Sequence, residues 1–357
     1  MHTRRLLLGG AAFLLAVAPM SRTADASPLQ TYSFAATSFV QDPTGTWIYA
    51  ADPAANAVQV INAGTLQVAH TINVGSTPNT LALSADGSIL YVGNGGSTEI
   101  SRVNTSTLAL LTPLTAPGGP ATSLQVGTSN RLWVLSGGAI RQIDATTGAS
   151  TGANLSQTEG MYPLLVNGGE IQVTSDGKTL FYGNTGFSPS NAYVYDVSGA
   201  TAVEQHAYST GGNGRTLAAS PDGNRFAYAS AGDDFGHVPV FSASTGTQLG
   251  FLSNPATDVT FSPNNLAVFG TFTYVRHVDQ YDGVTYQLVG TGIDLPADGQ
   301  VLFADSSGTH LFVGEADRTE VYAVVTPEPA TAALAGIPLV GLLLRRRRRQ
   351  GLKLKGE

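Results

Sequence analysis

Ser84-Ala85-Asp86-Gly87-Ser88-Ile89-Leu90-Tyr91-Val92-Gly93-Asn94 joins a polar turn to an apolar, aromatic-bearing strand. Asp-Gly between alternating apolar runs is the strongest short hairpin signal, so the spacing predicts a tight type I′ hairpin with positive φ at both central residues. The phrase returns along the chain. Asp42-Pro43-Thr44-Gly45 precedes Trp47-Ile48-Tyr49, and Ser129-Asn130 precedes Leu132-Trp133-Val134. Asp176-Gly177 precedes Leu180-Phe181-Tyr182, and Pro221-Asp222-Gly223 precedes Phe226-Ala227-Tyr228. Pro263-Asn264-Asn265 and Ser307-Gly308 lead into Ala267-Val268-Phe269 and Leu311-Phe312-Val313.

Placing the seven turns at 45, 87, 130, 177, 223, 265 and 308 gives steps of 42, 43, 47, 46, 42 and 43 residues. A period of this length suits a four-stranded propeller blade and is too long for leucine-rich or tetratricopeptide repeats. Each copy continues into a second hairpin, for example Ala57-Val58-Gln59-Val60-Ile61 turning at Asn62 to Gly64. Strands without intervening Ala/Leu/Glu/Lys-rich runs exclude parallel βαβ units. The expected fold is therefore all-β, a seven-bladed β-propeller. The seventh unit ends after its third strand, at 320–325, whereas 29–34 precedes the first inner strand, 36–40, and belongs to no unit. Placing 29–34 as the outer strand of the last blade closes the ring and removes an exposed edge. Residues 27–326 then form one domain, although 357 residues are enough for two.

The phrase resembles the YVTN-type propeller family, most closely at Tyr91-Val92-Gly93-Asn94. Trp-Asp dipeptides are absent, which argues against Trp-Asp repeats. A related seven-bladed group has lactonase activity, so the resemblance implies either a binding module or a lactonase-like hydrolase.

The two ends have a different composition. The chain has 12% charged residues, no cysteine and a formal net charge of −7. Residues 27–326 hold 22 acidic and 8 basic groups with a single lysine, Lys178. That balance suits an extracellular β-protein and argues against nucleic acid as a partner. The lack of cysteine rules out disulfides and thiolate metal sites. Residues 1–26 read as a signal peptide: Arg4-Arg5, an uncharged run over 6–18, then Ala24 and Ala26 at the −3 and −1 positions of a cut before Ser27. The paired arginines leave open whether export is of the general secretory or the twin-arginine type.

At the other end, 327–357, Pro327-Glu328-Pro329 is followed by 15 uncharged residues over 330–344 and then Arg345, Arg346, Arg347, Arg348 and Arg349. As a helix that run reaches about 22 Å, short of the ~30 Å hydrocarbon core, and snorkelling arginines close part of the gap. The Arg cluster places this end on the cytoplasmic side, with the globular part outside. The order of these elements resembles the PEP-CTERM sorting signal of Gram-negative bacteria. The resemblance implies a transient partner, an exosortase-like membrane peptidase acting at Pro327-Glu328-Pro329, and delivery to the cell surface or exopolysaccharide. The alternative is a permanent tail anchor.

Ligand surfaces on propellers use the face opposite the Asp-Gly turns, together with the central channel. The candidates on that face are Arg215, Asp233, Asp234, His237, Glu315, Asp317 and Arg318, with Arg276, His277, Asp294 and Asp298 beside them. The longest inter-blade stretch, 157–169, adds Glu159 and Tyr162. Asp233-Asp234 lacks the alternating carboxylates of a calcium loop and reads as a solvated turn. No nucleophile elbow or phosphate loop is present, and no cofactor or metal is called for. A hydrolase would need His237 with Glu315 or Asp317 at the channel mouth. A binding module would take an exopolysaccharide or an envelope protein.

Overall fold

A computed structural model describes residues 27–155, 169–185, 190–199, 201–210, 213–231, 237–265, 267–272, 276–290 and 292–324. Ala24, Ala26, Glu159, Tyr162, Asp233, Asp234, Pro327, Glu328, Pro329, the 330–344 run and Arg345 to Arg349 lie outside the described residues.

The described chain forms seven four-stranded antiparallel sheets, a seven-bladed β-propeller. Strands β1 to β28 follow chain order. Blade one runs β2 (Phe39–Gln41), β3 (Trp47–Asp52), β4 (Ala57–Asn62) and β5 (Gln67–Asn73) from the channel outward. Blade two holds β6 (Pro78–Leu83) to β9 (Ala109–Thr115), and blade three β10 (Ala121–Val126) to β13 (Ser150–Leu155). Blade four holds β14 (Gly169–Val173) to β17 (Val203–Thr210), and blade five β18 (Asn213–Ala219) to β21 (Gln248–Leu252). Blade six runs from β22 (Asp258–Phe261) to β25 (Ile293–Asp294). Blade seven is β26 (Gly299–Ala304), β27 (His310–Glu315), β28 (Thr319–Ala323) and, outermost, β1 (Gln30–Tyr32).

The closure read from the sequence is present. Gln30, Thr31 and Tyr32 pair with Val321, Glu320 and Thr319, and Tyr32 Oη donates to the Leu66 carbonyl of blade one at 2.8 Å. The first inner strand starts later than 36–40. The Ala36 amide donates to Thr319 Oγ1 of blade seven, which itself donates to the Phe34 carbonyl, so this segment is spent on the seam.

Second strands are buried on both faces and carry the blade-packing rings. Tyr49, Tyr91, Trp133, Phe181, Phe269 and Phe312 occupy the same position in six blades and are all buried. Blade five has Ala227 there, flanked by the buried Phe226 and Tyr228. Outer strands such as β5 and β9 are largely exposed.

The Asp-Gly hairpins differ from the type I′ expectation. Gly87, Gly177 and Gly223 have φ of +71°, +67° and +68°, but the aspartates before them do not have positive φ. Each glycine amide closes a turn onto Ser84, Thr174 or Ser220 at 2.7 to 2.8 Å, and those residues pair with Ile89, Thr179 and Arg225, so the loops have four residues with one left-handed position, the third. The aspartate instead caps the turn: Asp86 Oδ1 accepts from the Ser84 hydroxyl and the Ser88 amide. Two consecutive positive φ values occur at Ser129 and Asn130, in the degenerate copy, whose loop is one residue shorter.

These turns share one face with the outer hairpins, as the Ala63 amide to Thr46 carbonyl bond and its counterparts from Ala145 to Asn130 and Ala243 to Asn224 show. Second-to-third loops and inter-blade links share the other face, where Val74 bonds to Asn56 and Ala116 to Thr98. A β-carbon on Gly223 would meet Thr174 in the neighbouring turn of blade four. Gly223→Val therefore adds a left-handed backbone penalty to a clash. It should lower stability by about 1–3 kcal/mol in denaturant unfolding, without loss of ligand affinity in the folded fraction.

Candidate functional site

An inner strand is the edge of its sheet, so one row of its amides faces the channel without a ladder partner. Here a side chain of the preceding blade supplies the acceptor. Ser38 Oγ accepts from the Leu81 amide, Thr80 Oγ1 from Leu124 and Ser123 Oγ from Ile171, all at 3.1 to 3.2 Å. Glu170 Oε2 accepts from Leu217 at 3.1 Å and Asp258 Oδ2 from Leu302 at 2.6 Å. With Thr216, these residues form a belt around the channel. Val301 holds the seventh position and has no polar group to offer.

Two belt positions hold carboxylates where others hold hydroxyls. Thr216 Oγ1 lies 2.9 Å from Glu170 Oε2 and 2.7 Å from Asp258 Oδ1. A hydroxyl has one proton to donate, so it satisfies one carboxylate, and the other bond requires a protonated carboxyl donating to Oγ1. Glu170 Oε1 accepts from Gln172 Nε2 at 3.1 Å. Burial raises the Glu170 carboxyl above its usual range. Burial, reinforced by the charge of Glu170, pushes Asp258 up to about 7.

One residue toward the opening from the belt is a second ring: Thr37, Asn79, Thr122, Gly169, Arg215, Thr257 and Gln300. In blades two, three, five and seven this residue sits where the register slips, between Pro78 and Thr80, Ala121 and Ser123, Gly214 and Thr216, and Gly299 and Val301. A bulge re-aims the extra side chain, and here the bulged side chains line the channel mouth. The mouth and belt enclose a cavity of about 460 Å³, which also takes in Thr185 from the second-to-third loop of blade four. It therefore opens on the face opposite the Asp-Gly turns. Phe39 and Phe303, stacked at 5.7 Å, line it at the junction of blades one and seven.

Of the residues singled out in the sequence, Arg215 lines this cavity. The other candidates among the described residues stand apart from it. His237 packs its ring against Phe251 at 4.8 Å in blade five. Asp317 and Arg318 pair with each other through two 2.9 Å bonds. Glu315 is buried in blade seven; its Oε2 accepts from the Ala297 amide at 2.8 Å, and burial with Glu320 beside it raises its pKa. The hydrolase grouping of His237 with Glu315 or Asp317 is thus split between blades five and seven. His277 lies between Asp279 and Asp294, at 3.2 and 2.7 Å. Its hydrogen bond to Asp279 is the largest influence holding the imidazole up to about 9. Arg276 pairs with Asp298. Among the described residues no three His, Asp or Glu side chains converge as a metal site would require.

Glu170, Thr216 and Asp258 were not among the residues the sequence singled out, yet the signal was there. Each lies seven residues before the turn position of its repeat (177, 223 and 265), as Ser38, Thr80 and Ser123 lie before 45, 87 and 130. Alignment on the turn puts two acids in a column of hydroxyls.

No protein-family model matches the chain, and no curated protein matches it. Solved structures do match. Kuenenia stuttgartiensis hydrazine synthase is 15% identical with a TM-score of 0.68, covering 89% of this chain and 100% of that one. The β-propeller domain of Myceliophteria thermophila Cps50 (Swd1) is 13% identical with a TM-score of 0.68, covering 84% and 100%. At such identities the likeness concerns the fold.

Asp258 holds its proton more tightly folded than unfolded, so its contribution to stability is greatest below the ordinary carboxylate range. That contribution declines as pH rises toward about 7 and is flat above. Asp258→Asn keeps an acceptor for Leu302 and a permanent donor toward Thr216. It should flatten this slope and raise the melting temperature at pH 8, by about 2–4 °C for each ~1 kcal/mol regained. Calorimetry from pH 4 to 8 checks this; an unchanged slope would remove Asp258 as its source.

Proposed function

We propose that this chain is an exported, surface-associated propeller that works as a binding module. Its ligand is a hydroxyl-rich polymer, foremost an exopolysaccharide, entering the channel mouth. The carrying observation is the lining: threonine, serine, asparagine and glutamine side chains from the inner strands converge on one open cavity. Neutral donors and acceptors in that arrangement match the hydroxyls of a sugar, and the Phe39–Phe303 pair offers an apolar wall. An envelope protein presenting a polar loop is a partner of the same kind. The terminal segments support export and delivery: a signal peptide over 1–26 and a PEP-CTERM-like signal at 327–357, processed by an exosortase-like peptidase. The middle of the chain is of YVTN type in this reading.

A second reading, a lactonase-like hydrolase, is favoured by one observation, the Asp258 carboxyl poised near neutrality beside Glu170. Against it, both oxygens of each carboxylate are engaged with Gln172, Leu217, Thr216 or Leu302 in the belt. That leaves little basicity for a reacting group.

Two measurements test the proposal. Thr122 is an exposed mouth residue, and Thr122→Trp should obstruct the opening. It should weaken binding of oligosaccharides from the producing cell's own exopolysaccharide at least tenfold, about 1.4 kcal/mol, with the melting temperature nearly unchanged. Equal affinity would take the ligand out of the channel. Separately, intact mass of surface material should show a chain beginning at Ser27 and lacking Arg345 to Arg349; their retention would rule out cleavage.

A further inference from the structure

Arg215 is the charged member of the mouth ring; the other six positions are Thr, Asn, Gln or Gly. It sits on the bulge of β18, where the register slips between Gly214 and Thr216, so its side chain is carried to the cavity instead of into the blade. It is exposed, and among the described residues it makes no hydrogen bond or ion pair.

That idleness is unusual in this chain. Arg102 is held by the Thr112, Ala145 and Thr146 carbonyls, and Arg141 by Pro117 and Ser136. Arg225 reaches Gly283, and Arg276 and Arg318 have aspartate partners. Arg131 also lacks a partner among the described residues, but it starts β11 (Arg131–Ser136) beside the turns of the opposite face.

Glu170 and Asp258 line the same wall without pairing to Arg215. Their oxygens are taken up by backbone amides, Gln172 and Thr216, and the Thr216 bridge requires a proton on one of them. Neither carboxylate is hydrogen-bonded or ion-paired to the guanidinium, whose N–H donors are left for a ligand. Gly169, next in the ring, contributes no side chain.

We propose that Arg215 is an anion-recognition residue of the channel mouth and that the ligand is an acidic polysaccharide. A uronate carboxylate pairs with its guanidinium while the sugar hydroxyls meet the neutral mouth residues. Arginine suits this because its planar fork binds a carboxylate through two parallel bonds. The inference rests on the binding-module reading and names the ligand class for that site.

The test is calorimetric titration of the mature protein with an oligogalacturonate and with the same oligomer after reduction of its carboxyls to alcohols. The wild type should bind the acidic oligomer at least tenfold more tightly, and raising the salt from 50 to 500 mM should erode that preference. Arg215→Gln should abolish the preference, and Arg215→Lys should retain part of it. The side chain is exposed, so melting temperatures of both variants should match the wild type and separate recognition from folding. Equal affinity for the two oligomers, or a preference that survives Arg215→Gln, overturns the assignment. If the reduced oligomer still binds and Thr122→Trp still blocks it, the binding-module reading stands without this inference. If neither oligomer binds, both fall.

Discussion

The exposed edge of each inner strand is the constraint on which the rest of this molecule depends. Seven sheet edges converge on one axis, and each presents amides that water or a neighbour must satisfy. Here the acceptor comes from the preceding blade, so Ser38, Thr80, Ser123, Glu170 and Asp258 each tie one inner strand to the next. A neutral bond of this kind is worth about 1 kcal/mol net, and one to an ionised group more. The geometric effect matters more than the sum. Strands fixed in register around the channel leave the preceding residue of each free to face the opening, and the mouth is made of those residues.

Replacing two belt hydroxyls by carboxylates makes little sense as stitching alone. A serine would accept the Leu217 or Leu302 amide at lower desolvation cost. The cost falls on Glu170 and Asp258, whose carboxyls resist ionisation, and it is partly offset by Thr216 between them. These half-buried acids in the channel wall give up their protons reluctantly, while Arg215 stands at the rim. Hydrazine synthase and the Cps50 domain share the fold at 15% and 13% identity, and a fold shared at that distance does not by itself fix a function.

Architecture was legible because blade packing repeats a phrase. Tyr49, Tyr91, Phe181 and Phe312 recur at a fixed distance from their turns because each fills the same slot between sheets, and the unassigned stretch at 29–34 found its place by counting strands. Turn type was not legible. Asp-Gly fits several loops, and the four-residue form is held by the hydroxyl two residues before the aspartate, Ser84, Thr174 or Ser220, which the Asp-Gly pair alone does not show. The belt was hidden for another reason. Reading for chemistry looked for clusters in loops, whereas Glu170 and Asp258 are 88 residues apart on separate strands and meet only through Thr216. Arg215 stands out in the sequence as a charged residue on the face opposite the Asp-Gly turns; the bulge that carries it to the channel does not.

The seam of blade seven also has a mechanical side. β28 is an interior strand, hydrogen-bonded to β27 on one flank and to β1 on the other. Tension delivered through the chain beyond Ala323 and directed along the strand enters a strand gripped on both flanks, so its bonds bear the load together in shear. An outermost strand under the same pull would have only one ladder to share the load. Closing the ring with the N-terminal strand therefore turns the last strand of the described chain into one that yields to such a pull only when two ladders shear together.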